Sequence, residues 1–140
     1  MAAVNLSTVR ATIEKRLDDE FRIGPYIPLV FNNIPFDAST VDTFIQCLVS
    51  FGNNSYLTQA TSGTGNNQIT GLILCNILTK QGVGSGENFA ICKRLRDLYN
   101  RITVSSVIFD APIGPEILIS SPEGKFQTQI RITFTIYEDL

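Results

Sequence analysis

The sequence FQTQIRITFTIY, residues 126–137, alternates apolar and polar side chains along its whole length. This period of two predicts a β-strand with one buried face, because successive side chains of a strand point to opposite sides of the sheet. The side chains expected to face inward are Phe126, Thr128, Ile130, Ile132, Phe134 and Ile136. Those expected to face outward are Gln127, Gln129, Arg131, Thr133 and Thr135.

Two further segments predict the strands beside it. Val41 to Phe51 alternates in the same way, with one apolar face. Ile69 to Leu78 is apolar on both faces, which is typical of a central strand covered on both sides, by its own helices or by a neighbouring subunit. We expect these two strands to form a hairpin.

Two segments of the sequence have apolar residues at the spacing of an amphipathic helix. The first apolar series predicts a helix after the capping residue Asn5, and the second predicts a helix after the glycine turn Gly82 to Gly86. The apolar residues of the first helix are Leu6, Val9, Ile13, Leu17 and Phe21. Those of the second are Ile91, Leu95, Leu98 and Ile102, with Phe89, Cys92 and Tyr99 on its flank.

Shorter strands are predicted at Ile27–Phe31, Val104–Phe109 and Glu116–Ser120. The first is bracketed by prolines, which favours a place at the edge of the sheet. The resulting order is α-β-β-β-α-β-β-β. Consecutive strands imply a mostly antiparallel sheet, so the predicted fold class is α+β, with both helices packed on the sheet in a single domain, residues 1–140.

The composition limits the possible functions. Charged residues make up 17% of the 140-residue chain, below the roughly 25% of an ordinary soluble domain, and a weakly charged polar surface suits packing against protein neighbours. The net charge of −2 argues against sequence-specific binding to nucleic acid, which needs a positive excess. DNA that slides through a lumen without being held remains compatible with this charge.

The absence of histidine excludes Ser-His-Asp and Cys-His catalysis and the common zinc and non-haem iron sites. We therefore expect no enzymatic activity, metal or cofactor, although carboxylate, Lys, Tyr or Cys chemistry stays formally open. The cysteines Cys47, Cys75 and Cys92 lie in apolar runs, and their odd number without a signal peptide favours a reducing cytosol. The longest apolar runs are too short to span a membrane.

The segment from Gly52 to Gln68 is rich in Asn, Thr, Ser, Gln and Gly. We interpret it as a long loop between the two strands of the hairpin, and loops beyond about 12–15 residues are usually functional or disordered. A floppy loop, a binding loop and a segment that orders on assembly are the alternatives. The third is favoured, because an arm that extends from a rigid sheet is a common way to grip a neighbour.

Two weaker sequence patterns bear on binding chemistry. The turn Gly82 to Gly86 precedes a helix, as phosphate-binding loops do, but it fits neither the P-loop nor the dinucleotide fingerprint, and Glu87 would repel a phosphate. A plain turn with Ser85 as the N-cap is favoured. The basic residues Lys93, Arg94, Arg96 and Arg101 on the second helix are interpreted as a solvent face, with a subunit interface as the minority alternative.

Several segments together resemble a known family. They are PYIPLVFNN at residues 25–33 after the first helix, a long strand ending in a polar segment, and QITGLIL at residues 68–74 before a glycine turn and a helix with Leu95 and Tyr99. This arrangement is similar to the tail-terminator, or tail-completion, proteins of long-tailed bacteriophages, of which the phage lambda terminator is one member. The resemblance covers nearly the whole chain in order and length.

The resemblance implies a structural virion protein without catalytic residues. It implies a homohexameric ring that caps the tail tube, ends tube polymerisation and joins the tail to the head connector, with assembly in the bacterial host cytoplasm. The implied partners are the chain itself, the tail tube protein and the neck proteins. The candidate contact residues are Asn53, Asn54, Tyr56, Leu57, Gln59, Asn66, Asn67, Arg94 and Arg96.

Two other functions stay open from the sequence. One is a small-ligand or nucleotide-binding module that uses the turn from Gly82 to Gly86. The other is a host-directed inhibitor that uses the long polar segment against a single partner.

Overall fold

The structure is a computed structural model that describes residues 5–23, 26–31, 41–59, 65–82, 84–118 and 124–139. Helix α1 spans Leu6–Ile23 and is followed by β1 (Leu29–Val30), β2 (Phe44–Gln59) and β3 (Gly65–Lys80). Helix α2 spans Gly86–Tyr99 and is followed by β4 (Thr103–Val104), β5 (Val107–Phe109), β6 (Ile113–Ile117) and β7 (Lys125–Asp139). None of the helices in these ranges is long and apolar enough to cross a membrane.

In the described residues, seven strands form one sheet in the order β1-β2-β3-β7-β5-β4, with β6 also paired to β7. β1 runs parallel to β2, and every other pairing is antiparallel. The predicted α+β class, element order and mostly antiparallel sheet are confirmed. The predicted strand Val104–Phe109 consists of two short strands, because Ser105 and Ser106 take left-handed backbone angles and turn the chain between them.

Both helices pack on the same face of the sheet. The main core contains Val9, Ile13, Leu17 and Phe21 of α1 and Ile91, Leu95 and Tyr99 of α2, packed against alternate residues of β2, β3 and β7. The inward set predicted for β7 is confirmed from Thr128 to Ile136, all of which are buried, and Phe126 is half-buried. We call the helix-covered side the inner face and the opposite side the outer face.

Hydrogen bonds fix the helices at their ends and against each other. Asn5 Oδ1 accepts from the backbone N–H groups of Ser7 and Thr8, at 2.9 and 3.2 Å, as predicted for the α1 cap. The buried Tyr99 hydroxyl donates to the Ile13 carbonyl oxygen of α1 at 2.7 Å. Burial raises the pKa of Tyr99, so this hydroxyl keeps the proton that it donates. Ser85 is the N-cap residue of α2, as predicted, but its side chain makes no capping hydrogen bond.

The fully buried Asn88 ties the start of α2 to the sheet. Its Nδ2 donates to the Ile77 carbonyl oxygen at 3.0 Å and to Thr79 Oγ1 at 3.3 Å. Its Oδ1 accepts from Thr128 Oγ1 and, at 3.4 Å, from Cys92 Sγ. A buried amide is tolerated because its donors and acceptor are all satisfied.

The predicted loop from Gly52 to Gln68 is wrong. β2 continues to Gln59 and β3 begins at Gly65, so the connection is confined to residues 60–64, which lie outside the described residues. The pairing passes two irregularities, one between Phe51 and Asn54 and one between Tyr56 and Thr58. Main-chain hydrogen bonds hold these strands, and such bonds do not require apolar side chains, so polarity alone was a poor indicator of a loop.

Gly71 leaves space for an aromatic cluster on the inner face. A Cβ atom at this position would lie 2.2 Å from Cζ of Phe134, the directly paired residue of β7. The Phe134 ring contacts Phe51 at 5.8 Å and Phe109 at 6.3 Å between centroids, and Phe109 contacts Tyr99 at 5.0 Å. Any larger residue at Gly71 must displace a ring that is held on several sides.

We predict that Gly71→Ala lowers the free energy of unfolding by about 1–3 kcal/mol, because the new methyl group overlaps the Phe134 ring. Gly86→Ala is the control, since a Cβ there meets no atom within 4 Å and the effect should stay within about 0.5 kcal/mol. Urea denaturation of both variants measures the difference. Equal losses in the two variants would contradict the packing described for Phe134.

Candidate functional site

Three strands continue past the last core residues whose side chains the structure describes. Among those side chains, the buried β2 members of the main core end at Val49, while β2 itself continues to Gln59. β3 pairs with β2 as far as Gln59↔Gly65 and with β7 as far as Asn66↔Asp139. We call residues 52–59 of β2, 65–68 of β3 and 137–139 of β7 the arm.

Seven of the nine candidate contact residues lie on the arm. For the five on β2, the structure describes the backbone and not the side chains; they are Asn53, Asn54, Tyr56, Leu57 and Gln59. Asn67 is buried on β3, and its Nδ2 donates to Glu138 Oε1 of β7 at 3.3 Å. Its neighbour Asn66 is half-buried. Asn67 therefore ties two strands of the arm together.

Arg94 and Arg96 lie elsewhere, on α2. Arg94 Nε donates to Glu20 Oε1 of α1 at 2.9 Å, and its Nη2 donates to the Glu20 carbonyl oxygen at 2.6 Å. The guanidinium also lies over the Phe21 ring, 4.4 Å from its centroid. Arg96 Nη1 donates to the Gly114 carbonyl oxygen of β6. The fold thus brings the nine candidates to separate places, and both arginines have partners within the chain.

The solvent-face interpretation of the basic residues holds only in part. Lys93 pairs with Asp97 at 2.7 Å in an exposed i,i+4 contact. Arg94 is only 21% exposed and joins the two helices. A sequence pattern on one helix cannot show this, because Glu20 and Phe21 lie more than seventy residues away along the chain.

The outer face carries a row of side-chain amides across the sheet. Asn76 Nδ2 of β3 donates to Gln46 Oε1 of β2 at 3.2 Å, and Gln129 Nε2 of β7 donates to Asn76 Oδ1 at 3.0 Å. Arg131 continues the row, with Nε 3.4 Å from Gln129 Oε1 and Nη2 3.4 Å from Glu116 Oε2 of β6. We call these five residues the amide row. Its charges are one cation and one anion, which pair with each other.

Leucines lie beside the amide row on the same face. Leu48 pairs directly with Leu74, and Ser50 pairs with Leu72. All three leucines are only half-buried. In contrast, Leu78 is buried on this face with Val30 and Phe44 in a separate small cluster. The sequence predicts that both faces of β3 are covered. In the single chain, the inner face of β3 is fully covered and the outer face is covered only in part.

The glycine turn before α2 has a conformational explanation. Gly82 and Gly84 adopt φ angles of +90° and +86°, in the left-handed region that glycine tolerates best. The Glu87 carboxylate in the first turn of α2 accepts a hydrogen bond from Thr43 Oγ1 at 3.2 Å. Both features suit a plain turn.

Two other features bear on possible binding sites. An open groove of about 740 Å³ lies between α1 and the β4–β5 turn, lined by Lys15, Asp19, Ile23 and Leu98 among others. Asp19 accepts a hydrogen bond from Lys15 at 2.9 Å and thereby raises the pKa of that lysine, so this charge is already paired. Within the described ranges, no three carboxylate or thiol groups come close enough together to hold a metal ion.

We predict that Arg94→Met lowers the free energy of unfolding by about 1–2 kcal/mol, because it removes an ion pair and a second hydrogen bond between the helices. Lys93→Met, next to it on α2, removes an exposed pair and should cost less than about 0.5 kcal/mol. Urea denaturation compares the two. A silent Arg94→Met would contradict the role of Arg94 as a contact between the helices.

Comparison with known proteins bears on the fold. No family model and no curated protein matches the sequence. Among solved structures, 18 chains match. One of them, named only by a sequence identifier that describes no function, superposes with a TM-score of 0.69 over 99% of this chain and 97% of that chain, at 16% identity. This likeness shows that the whole chain shares its fold with a solved protein.

Proposed function

We propose that this chain is a tail terminator of a long-tailed bacteriophage. In this proposal, copies of the chain form a closed ring, a homohexamer by analogy with the family it resembles. The ring caps the tail tube, ends tube polymerisation and joins the tail to the head connector. It assembles in the host cytoplasm and remains in the virion. The chain then acts by geometry, without catalytic residues or a cofactor.

The observation that carries the proposal is the uncharged outer edge of β2 over residues 50–59. Residues 44–59 contain no charged residue and no proline. In the described residues, β1 pairs with this edge only at Ile45 and Gln46, and residues 50–59 pair with β3 alone. Natural proteins usually protect a long edge strand with charges, proline or cover, because its free N–H and C=O groups invite another strand. The two irregularities in β2 give only local protection.

The outer face provides a second argument. A single chain leaves Leu48, Leu72 and Leu74 half-exposed beside the amide row. Such a surface is polar enough to tolerate water and apolar enough to gain from burial against a neighbour. The charges within the amide row are one pair, Arg131 and Glu116, which balance each other. A ring that presents the amide row to its lumen would not hold DNA phosphates tightly there.

The type of interface between copies explains why they would form a ring. An edge of β2 that meets a different surface of the next copy forms a heterologous interface, and such interfaces close into rings when the rotation between copies fits. Growth of the tube stops because one ring face reproduces the surface that the tube subunits recognise while the other does not.

We predict that Ser55→Lys combined with Thr58→Lys prevents ring formation, because two desolvated charges on the β2 edge oppose strand pairing. Native mass spectrometry across a concentration series measures the ring, and negative-stain imaging of mixtures with tail tubes measures end capping. The unmodified chain should give one fixed stoichiometry and decorate tube ends.

Ala11→Lys combined with Ser7→Lys is the control, since both positions are exposed on α1 and the charge change is the same. It should leave the ring and tube capping intact. An unmodified chain that stays single at every concentration and never binds tube ends would refute the proposal. Equal loss of assembly in the control would refute the assignment of the interface to the β2 edge.

A further inference from the structure

Two of the three cysteines face each other across neighbouring strands. Cys47 of β2 and Cys75 of β3 are direct partners in the antiparallel register. Both thiols are free, and their side chains are 1% and 0% exposed on the inner face. The Cys47 thiol lies close enough to Cys75 to raise the pKa of the Cys75 thiol. The sequence suggested three unrelated cysteines, because twenty-seven residues separate this pair along the chain.

The backbone hydrogen bonds show whether Cys47 and Cys75 form a hydrogen-bonded or a non-hydrogen-bonded pair of the antiparallel ladder. Ile45 N–H donates to the Pro28 carbonyl oxygen at 3.0 Å, on the β1 side of β2. Every second residue of a strand directs its N–H and C=O to the same side, so Cys47 also directs them away from β3. Cys47 and Cys75 are therefore a non-hydrogen-bonded pair, in which Cα atoms lie about 4.5 Å apart. This separation is within the range of about 4.4–6.8 Å that a disulfide spans.

The third cysteine, Cys92, has different hydrogen-bond partners. Cys92 Sγ lies on α2, 3.4 Å from Asn88 Oδ1 and 3.3 Å from Thr128 Oγ1. It belongs to the polar cluster that ties α2 to the sheet. Cys47 and Cys75 are thus the two cysteines that lie directly opposite each other on paired strands.

We propose that Cys47 and Cys75 are an oxidation site that closes to a cross-strand disulfide and links β2 to β3 just below the arm. A small two-electron oxidant, hydrogen peroxide, suits a site this enclosed. One thiolate attacks the peroxide, forming a sulfenic acid and releasing hydroxide. The second thiol then displaces the sulfenic hydroxyl group as water. Two thiols lose two electrons and two protons, and one peroxide becomes two waters.

Burial makes the reaction slow. The nearby Cys47 thiol, followed by burial, raises the pKa of the Cys75 thiol well above its ordinary value, and only the thiolate is a nucleophile. Oxidation therefore waits for transient separation of the helices from the sheet. The disulfide is shielded from reductants in the same way once the core has closed over it. It also restricts the unfolded chain, so the oxidised protein should be the more stable form.

The test treats the full chain with hydrogen peroxide and counts alkylated thiols after denaturation. We expect three reactive thiols before treatment and one after it, a mass lower by two hydrogen atoms, a peptide linking Cys47 to Cys75 and a higher melting temperature. Cys92→Ala should still form the link. Cys75→Ala should keep both remaining thiols and show no rise in melting temperature.

Three results would overturn the inference. They are three free thiols after prolonged treatment, a linked peptide that contains Cys92, and a link between two chains. Neither these results nor the expected ones depend on ring formation, so the outcome is separable from that of the proposed function.

Discussion

The structure depends on β3 being paired on both sides along its length. β3 pairs with β2 from Leu78 to Gly65 and with β7 from Lys80 to Asn66. Two ladders of main-chain hydrogen bonds therefore hold three long strands in a fixed register, interrupted by the two irregularities between β2 and β3. That register places the inward residues of the strands side by side and gives the helices a continuous apolar surface on which to pack.

The pairing of these strands also forms the arm and the amide row, which are the two features that bear on function. β2, β3 and β7 continue past the described core residues as the arm. Because alternate residues face the other way, Gln46, Asn76 and Gln129 meet on the outer face in the amide row. The fold therefore separates a helix-covered face, which stabilises the single chain, from the outer edge and outer face to which, in the proposal, neighbouring copies bind.

Local patterns were enough to predict much of the fold. The alternation in residues 126–137 gave the correct inward set, and the helical spacing from Leu6 to Phe21 gave the buried face of α1, since both depend on near neighbours in the chain. The arm was missed because main-chain pairing does not depend on apolar side chains. The partners of Arg94 and Cys47 were missed because they are set by contacts distant in sequence.

The central claim is that the outer edge of β2 is covered by another copy of the chain. Backbone amide hydrogen exchange, measured on the single chain and on the assembled ring, tests it most directly. The amides of residues 50–59 that point away from β3 should exchange rapidly in the single chain and become strongly protected in the ring, while those of Ile130, Ile132 and Phe134, already paired and buried, should change little. Unchanged exchange across residues 50–59 on assembly would contradict the claim.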